Sequence, residues 1–332
     1  MSHVPGEHYG FATLDESASL PALELATQQF LDSLNGETAF NVLPPADACQ
    51  AFRLLQARPV GRPGARIQDV TFQIGPTGTV PVRIIRPNDA EDPLPIVLYC
   101  HGGGWMAGDV ETHDRMIREL AVGARAAVVF ISYDLLPHAQ FPVQFEQVYA
   151  VLQHVAEHDV ELNLDALRLA ILGDGAGGEL TAAVTLAARD RRGPKIDLQV
   201  LLCPVLSADC DTESYQRFAN GPWLTKTTMQ QVWNAYLPDP ALRDNVAVSP
   251  LRASIEQLTN LPETLIIVAE CDVVRDEGER YARMLSDAGN RVTSVRYNGT
   301  IHDFALLNAL ADTPAARGAM AQMIAALTGT FG

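Results

Sequence analysis

The sequence predicts an α/β protein built on a mostly parallel β-sheet with helices on both faces. Three observations carry that reading. Short, continuously apolar runs recur from Pro95 onward, at Ile96–Cys100, Ala127–Ile131, Leu169–Leu172, Leu198–Cys203, Leu265–Ala269 and Val292–Tyr297. Amphipathic stretches of helix length separate most of them, at about 112–124, 143–157, 177–190 and 275–288. Strands apolar on both faces belong to a sheet covered on both sides, and strand–helix alternation makes neighbouring strands parallel. Thirdly, glycine-rich turns directly follow two of the apolar runs, at His101–Trp105 and Gly173–Gly178. Turns at the carboxyl ends of such strands are where open α/β sheets bind ligands.

Taken in chain order, Leu23, Ala26, Phe30, Leu31 and Leu34 recur at three- and four-residue steps, the period of a half-buried helix, and Asn35-Gly36 supplies its stop. A second short helix is expected from about Ala46 to Ala57, closed by Pro59 and Gly61. Asp69–Ile74 alternates apolar and polar residues, and after the turn Gly75-Pro76-Thr77-Gly78 the run Val80–Arg86 reads as its antiparallel partner. The parallel alternation then begins. It is interrupted over about 205–262, which holds Tyr215, Trp223, Trp233 and Tyr236 and no strand-like run. An insertion of that kind sits as part of a lid over the carboxyl ends of the strands. An alanine-rich helix over about 303–327 ends the domain. The expected organisation is N-terminal helices over 1–60 contributing to a cap, and one domain over 61–332 with a cap insertion at about 205–262.

Composition narrows the function. Forty carboxylates against twenty-four cations give a formal charge of −16, and only Lys195 and Lys226 are lysines. Such a chain repels nucleic acid and anionic membrane surfaces, so neither is expected as a partner. No apolar run reaches the length of a membrane span and no basic start precedes an apolar core, so a cytoplasmic protein is expected. The cysteines at 49, 100, 203, 210 and 271 form no metal-ligand spacing, and their odd number speaks against a disulfide framework. No metal and no cofactor are called for; a homodimer is compatible with the sequence.

The chemistry-bearing residues cluster after strands. Gly173-Asp174-Gly175-Ala176-Gly177-Gly178 lacks the spacing and the downstream acid of a dinucleotide site. It fits a strand–turn–helix elbow instead. Glu270-Cys271-Asp272 follows a later strand, and Gly299-Thr300-Ile301-His302 precedes the last helix. The order is a glycine turn able to present amides, an elbow, an acid and a histidine.

With those residues in that order, the chain resembles the α/β-hydrolases of the hormone-sensitive-lipase type, a family of carboxylesterases and lipases, from about Arg66 to its end. The resemblance implies an α/β-hydrolase fold, with a roughly eight-stranded sheet and a helical cap. It also implies oxyanion-hole amides at Gly103, Gly104 and Ala176, a histidine base at His302 and an orienting acid at Asp272. The family's elbow serine corresponds to Gly175, which carries no nucleophile. Other departures are Ser132, Asp134 and His138 in a loop that is more uniform in the family, and Glu179 where the family usually has Asn. A deliberate inactivation would explain position 175 alone, so a naturally diverged pocket is favoured.

Residues considered as further pocket members are Glu179, Asp134, His138, Trp105 and Trp223. Glu179 reads equally as a catalytic carboxylate and as a first-turn helix glutamate. Asp134 and His138, four apart, would suit a local ion pair. The expected function is serine-free acid–base chemistry by His302 and Asp272 on a small carbonyl or ester compound, with elimination, cyclisation or decarboxylation favoured over direct attack by water. The alternatives are a ligand-binding protein, as in plant gibberellin receptors, which resemble the same family with a damaged triad, and a carboxylesterase inactivated by the loss of its serine.

Overall fold

The computed structural model describes residues 20–34 and 45–332. Eight strands form one sheet in the order β1-β2-β4-β3-β5-β6-β7-β8. β1 (Ala65–Phe72) and β2 (Val80–Pro87) make the antiparallel hairpin, and β2 also pairs antiparallel with β4 (Ala127–Ile131). The remaining strands, β3 (Leu94–Cys100), β5 (Leu164–Asp174), β6 (Leu198–Leu202), β7 (Glu263–Cys271) and β8 (Val292–Ile301), join β4 in parallel pairs. The fold is therefore the α/β hydrolase fold: a mostly parallel eight-stranded sheet flanked by helices.

Every residue of β3, β4 and β6 is buried, whereas the edge strand β1 alternates with solvent. That contrast follows from coverage. α3 (Asp114–Ala124) packs against α9 (Pro314–Phe331), and α4 (Val143–Glu157) packs against α5 (Ala176–Asp190). α8 (Arg275–Asp287) lies against β7 and encloses a second apolar cluster with α5, in which Leu186, Ile266 and Tyr281 meet. Two short helices, α6 (Glu213–Arg217) and α7 (Lys226–Tyr236), occupy the interval between β6 and β7. Towards the N-terminus lie α1 (Leu25–Ser33) and α2 (Pro45–Gln56), and Phe30 of α1 packs its ring on Trp223, 5.6 Å between centroids.

One expectation needs adjusting. The last helix starts at Pro314, not at about 303; residues 303–313 are turns and a short 3-10 segment. Thr313 accepts a hydrogen bond from Ala316 N–H and Pro314 takes the first helical position, so the start signal lay eleven residues further along than the apolar pattern implied. The expected stop at Asn35-Gly36 lies outside the described residues. Among the described residues no helix is long and apolar enough to cross a membrane.

β3 connects first to β4 on one side of it and later to β5 on the other. The sheet therefore reverses its winding at β3, and the crevice at the carboxyl ends of β3 and β5 is the expected ligand position.

Candidate active site

Beyond Cys100 the chain turns at once through His101–Trp105. Gly103, Gly104 and Trp105 have φ of 100°, 65° and 56°. Gly103 has no substitute, because a Cβ there would lie 2.4 Å from Ala107 O. The turn is tied down from below: Gly102 N–H donates to Asp174 Oδ2 (3.1 Å) and Tyr133 OH to His101 O (2.6 Å). His101 stacks on Tyr133, 4.2 Å between centroids, and donates from Nδ1 to Gly102 O (2.8 Å). Burial and the neighbouring His113 lower His101 to about 4, so it is a neutral prop of the loop. The N–H groups of Gly103 and Gly104 find no acceptor among the described residues. Neither does Ala176 N–H, at the first position of α5, where no intrahelical partner exists.

The second turn is an elbow. Gly175 sits between β5 and α5 with φ 52° and ψ −117°, a conformation that strains any residue with a Cβ. A Cβ on Gly175 would stand 3.3 Å from His302 Nε2 and 3.9 Å from Gly102 Cα. A side chain at 175 would thus project between the histidine and the amide turn, and glycine leaves that space open.

The acid and the histidine are brought together by strand register. Cys271 of β7 pairs with Ile301 of β8, so the residues that follow them, Asp272 and His302, emerge side by side. His302 Nδ1 donates to Asp272 Oδ2 (2.7 Å), and Asp272 Oδ1 accepts from Val274 N–H (3.2 Å). His302 is 7% exposed. Burial works against its charged form, but the carboxylates of Asp272 and Asp303 outweigh burial and raise it to about 9. Cys203 Sγ lies within 4.8 Å of these donor atoms. As a cation site this cluster is poor: the ring nitrogen and the carboxylate oxygen are bonded to each other, and burial pushes the Cys203 thiol well up.

His302 and Ala176, the neighbours of the space beside Gly175, also line a narrow cavity of about 40 Å³. Gly103, Gly104, Ala176, His302 and Asp303 form its polar end. Trp105, Met106 and Val205 form its sides, and Leu224 together with Met229 and Val232 of α7 forms its roof. Four of the sequence-expected site positions, Gly103, Gly104, Ala176 and His302, therefore line one cavity, with Asp272 bonded behind the histidine.

The further pocket candidates fare differently. Trp105 lines the cavity. Trp223 instead donates from Nε1 to Asp303 Oδ2 (3.1 Å). Glu179 is fully buried under Trp105, accepting from its Nε1 (3.2 Å), and burial raises its carboxyl well above the ordinary range. Glu179 does lie in the first turn of α5, but its side chain is turned inward under Trp105 and is not among the described residues that line the cavity. Asp134 and His138 make no ion pair: Asp134 exchanges hydrogen bonds with the Gln147 amide (2.8 and 2.9 Å), and His138 is exposed. Both lie outside the cavity. Sequence reasoning missed Asp303, although it stands next to His302, and it did not single out Leu224, Met229 or Val232, although all three fall within the interval 205–262 expected as part of a lid.

Comparison with known proteins places the fold in a family. The sequence pattern of the family described as alpha/beta hydrolase fold matches residues 97–306. The chain is 41% identical to a thermostable esterase from Pseudomonas putida whose crystal structure superposes with a TM-score of 0.91, covering 95% of this chain and 99% of that one. A serine-to-alanine variant of the esterase rPPE, complexed with (S)-Ac-CPA, is likewise 41% identical, with a TM-score of 0.92 over 95% of this chain and 99% of that one. The carboxylesterase NlhH of Mycobacterium tuberculosis is 32% identical over 315 residues, 94% of this chain and 98% of its own. Fold, site geometry and these relatives together show that the chain belongs to the esterase-type α/β hydrolase fold family.

Proposed function

We propose that the protein is an enzyme that carries out acid–base chemistry on a small carbonyl or ester compound without a covalent intermediate. The observation that carries this reading is the empty position at Gly175. Around it stand a histidine–aspartate pair at 2.7 Å and three free amides, while no nucleophile projects from the elbow. In this reading the substrate oxygen lies on the Gly103, Gly104 and Ala176 amides, which stabilise the negative charge that develops there. His302, oriented by Asp272, passes a proton to or from the atom seated beside Gly175.

Elimination, cyclisation or decarboxylation at a carbonyl needs only these parts. Direct attack by water is the weaker use, since triad enzymes stripped of a member retain only about 10³–10⁴-fold catalysis over water. The relatives named as esterases support an ester or carbonyl compound as the ligand class, and the apolar walls formed by Met106, Val205 and Val232 support a small uncharged substituent.

The test uses exchange of α-protons for deuterium in D₂O on a panel of small ketones and esters, followed by NMR. The protein should accelerate exchange on at least one class of them. His302→Ala should abolish the effect and Gly175→Ser should not increase it. Saturable binding of such compounds with no exchange and no turnover would replace this reading with that of a ligand-binding protein.

A further inference from the structure

We infer that Asp303 is a positioning residue of this site: its carboxylate, clamped by Trp223, faces His302 Nε2 from inside the cavity and holds a proton on that nitrogen. The histidine then meets its ligand as a donor. This inference rests on the reading of His302 as the proton carrier and adds its resting state.

The geometry is a ring between two carboxylates. Asp272 Oδ2 lies 2.7 Å from Nδ1 on one side, and Asp303 Oδ1 lies 3.6 Å from Nε2 on the other. Asp303 is held in place three ways. Its backbone takes a left-handed conformation, φ 64°. Its carbonyl accepts from Leu306 N–H and Leu307 N–H (2.8 and 2.9 Å), and its second carboxylate oxygen accepts from Trp223 Nε1 (3.1 Å). The side chain is 11% exposed, so its field at the ring is little screened by water.

Among the described residues, the other groups near the ring do not oppose its charge. Asp174, at the end of β5, adds negative potential, and the Cys203 thiol after β6 stays protonated because burial raises it. Among the described residues, no Lys or Arg lines the cavity. Burial opposes charge on both partners; Asp303 is raised by burial and pulled back by His302, while His302 is carried up to about 9. The attraction between the two thus works against burial on both partners.

The consequence is a ligand class. With the imidazolium in place, Nε2–H joins the amides of Gly103, Gly104 and Ala176, and the groups around the Gly175 space are donors apart from Asp303 itself. The ligand atom seated there is an acceptor, a carbonyl or carboxylate oxygen, and not an amine. Were a side chain present at 175, it would stand between this donor and the ligand; glycine lets them meet.

The test reads His302 by ¹⁵N NMR, its signal assigned by its loss in His302→Ala. At pH 7 both ring nitrogens of the unaltered protein should carry protons, and the ring should titrate near 9. Asp303→Asn keeps an acceptor for Trp223 and removes the charge, so the titration should fall by about 1–2 pH units. Asp303→Glu should restore part of the shift. A neutral His302 ring at pH 7 in the unaltered protein, or an unchanged titration in folded Asp303→Asn, overturns the inference. The two readings fail separately. A ring protonated on both nitrogens cannot abstract a proton, so exchange by His302 should appear as pH rises through about 9. Exchange at pH 7 by a neutral ring sinks only the role of Asp303, whereas a ring that titrates near 9 with no exchange above that pH sinks only the proposed function.

Discussion

Two aspartate–histidine pairs stand at the carboxyl ends of neighbouring parts of the sheet, and they behave differently. At the end of β5, Asp174 takes a contact from His113 Nε2 (3.4 Å) and hydrogen bonds from Tyr99 OH (2.7 Å) and Gly102 N–H (3.1 Å). His113 spends its other nitrogen on Thr112 Oγ1 (2.9 Å) and Asp109 O (3.2 Å). Burial opposes charge on Asp174, but His113 and Tyr99 hold its carboxyl below the usual range. Nothing in that cluster is left to meet a ligand. At the end of β7, Asp272 binds His302 through Nδ1, and Nε2 opens on the cavity beside Gly175. The same two residue types thus make a brace for the amide turn in one place and, in the proposed function, a proton carrier in the other. What separates them is the fate of the second ring nitrogen.

The comparison can be broken most forcefully at the open pair. Gly175→Ser puts a hydroxyl within reach of His302 Nε2, so at a pH where that nitrogen is free of its proton, hydrolysis of p-nitrophenyl acetate should rise by on the order of 10⁴-fold as a triad is completed. His302→Ala should lower α-proton exchange by on the order of 10²–10⁴-fold while leaving the urea midpoint nearly in place. The closed pair should answer in the opposite manner. Asp174→Leu strands Tyr99 OH, Gly102 N–H and His113 Nε2, at about 1–3 kcal/mol each, so urea unfolding should show a loss of several kcal/mol whatever the substrate.

A pH series sharpens the contrast with a smaller effect. His302 is raised in the folded protein from 6.5 to about 9, so its contribution to stability is full below 6.5 and is lost as pH climbs through about 9. Unfolding free energy should therefore fall between those limits, and His302→Ala should flatten that fall. The smallest effect is expected at Glu179, whose carboxyl burial raises well above the ordinary range. Glu179→Gln reproduces its shape and its acceptor for Trp105, and stability at pH 7 should change by less than about 1 kcal/mol.

How much of this was legible in the sequence depends on the range of the contact. β4 at Ala127–Ile131 and α4 at 143–157 are read to the residue, because their apolar periods are set locally. β5 begins at Leu164, earlier than the apolar run at Leu169, since Asp165 and Arg168 sit on its exposed end and hide it. The glycine turns, Asp272 and His302 are legible because each lies at a strand end whose pattern announces it. Asp303 was passed over because its meaning comes from Trp223, eighty positions away, and from a ring nitrogen whose direction only the fold decides. Glu179 was left open because helix-face orientation, not spacing, sends it under Trp105.

The central claim is that the elbow carries no nucleophile while the machinery around it is intact. Fluorophosphonate labelling with peptide mapping tests it most directly. The account predicts an unlabelled parent protein, labelling at position 175 in Gly175→Ser, and loss of that labelling when His302→Ala is added. Labelling of the parent protein at any cavity residue, with p-nitrophenyl ester turnover above about 1 s⁻¹, would contradict it by revealing a substitute nucleophile.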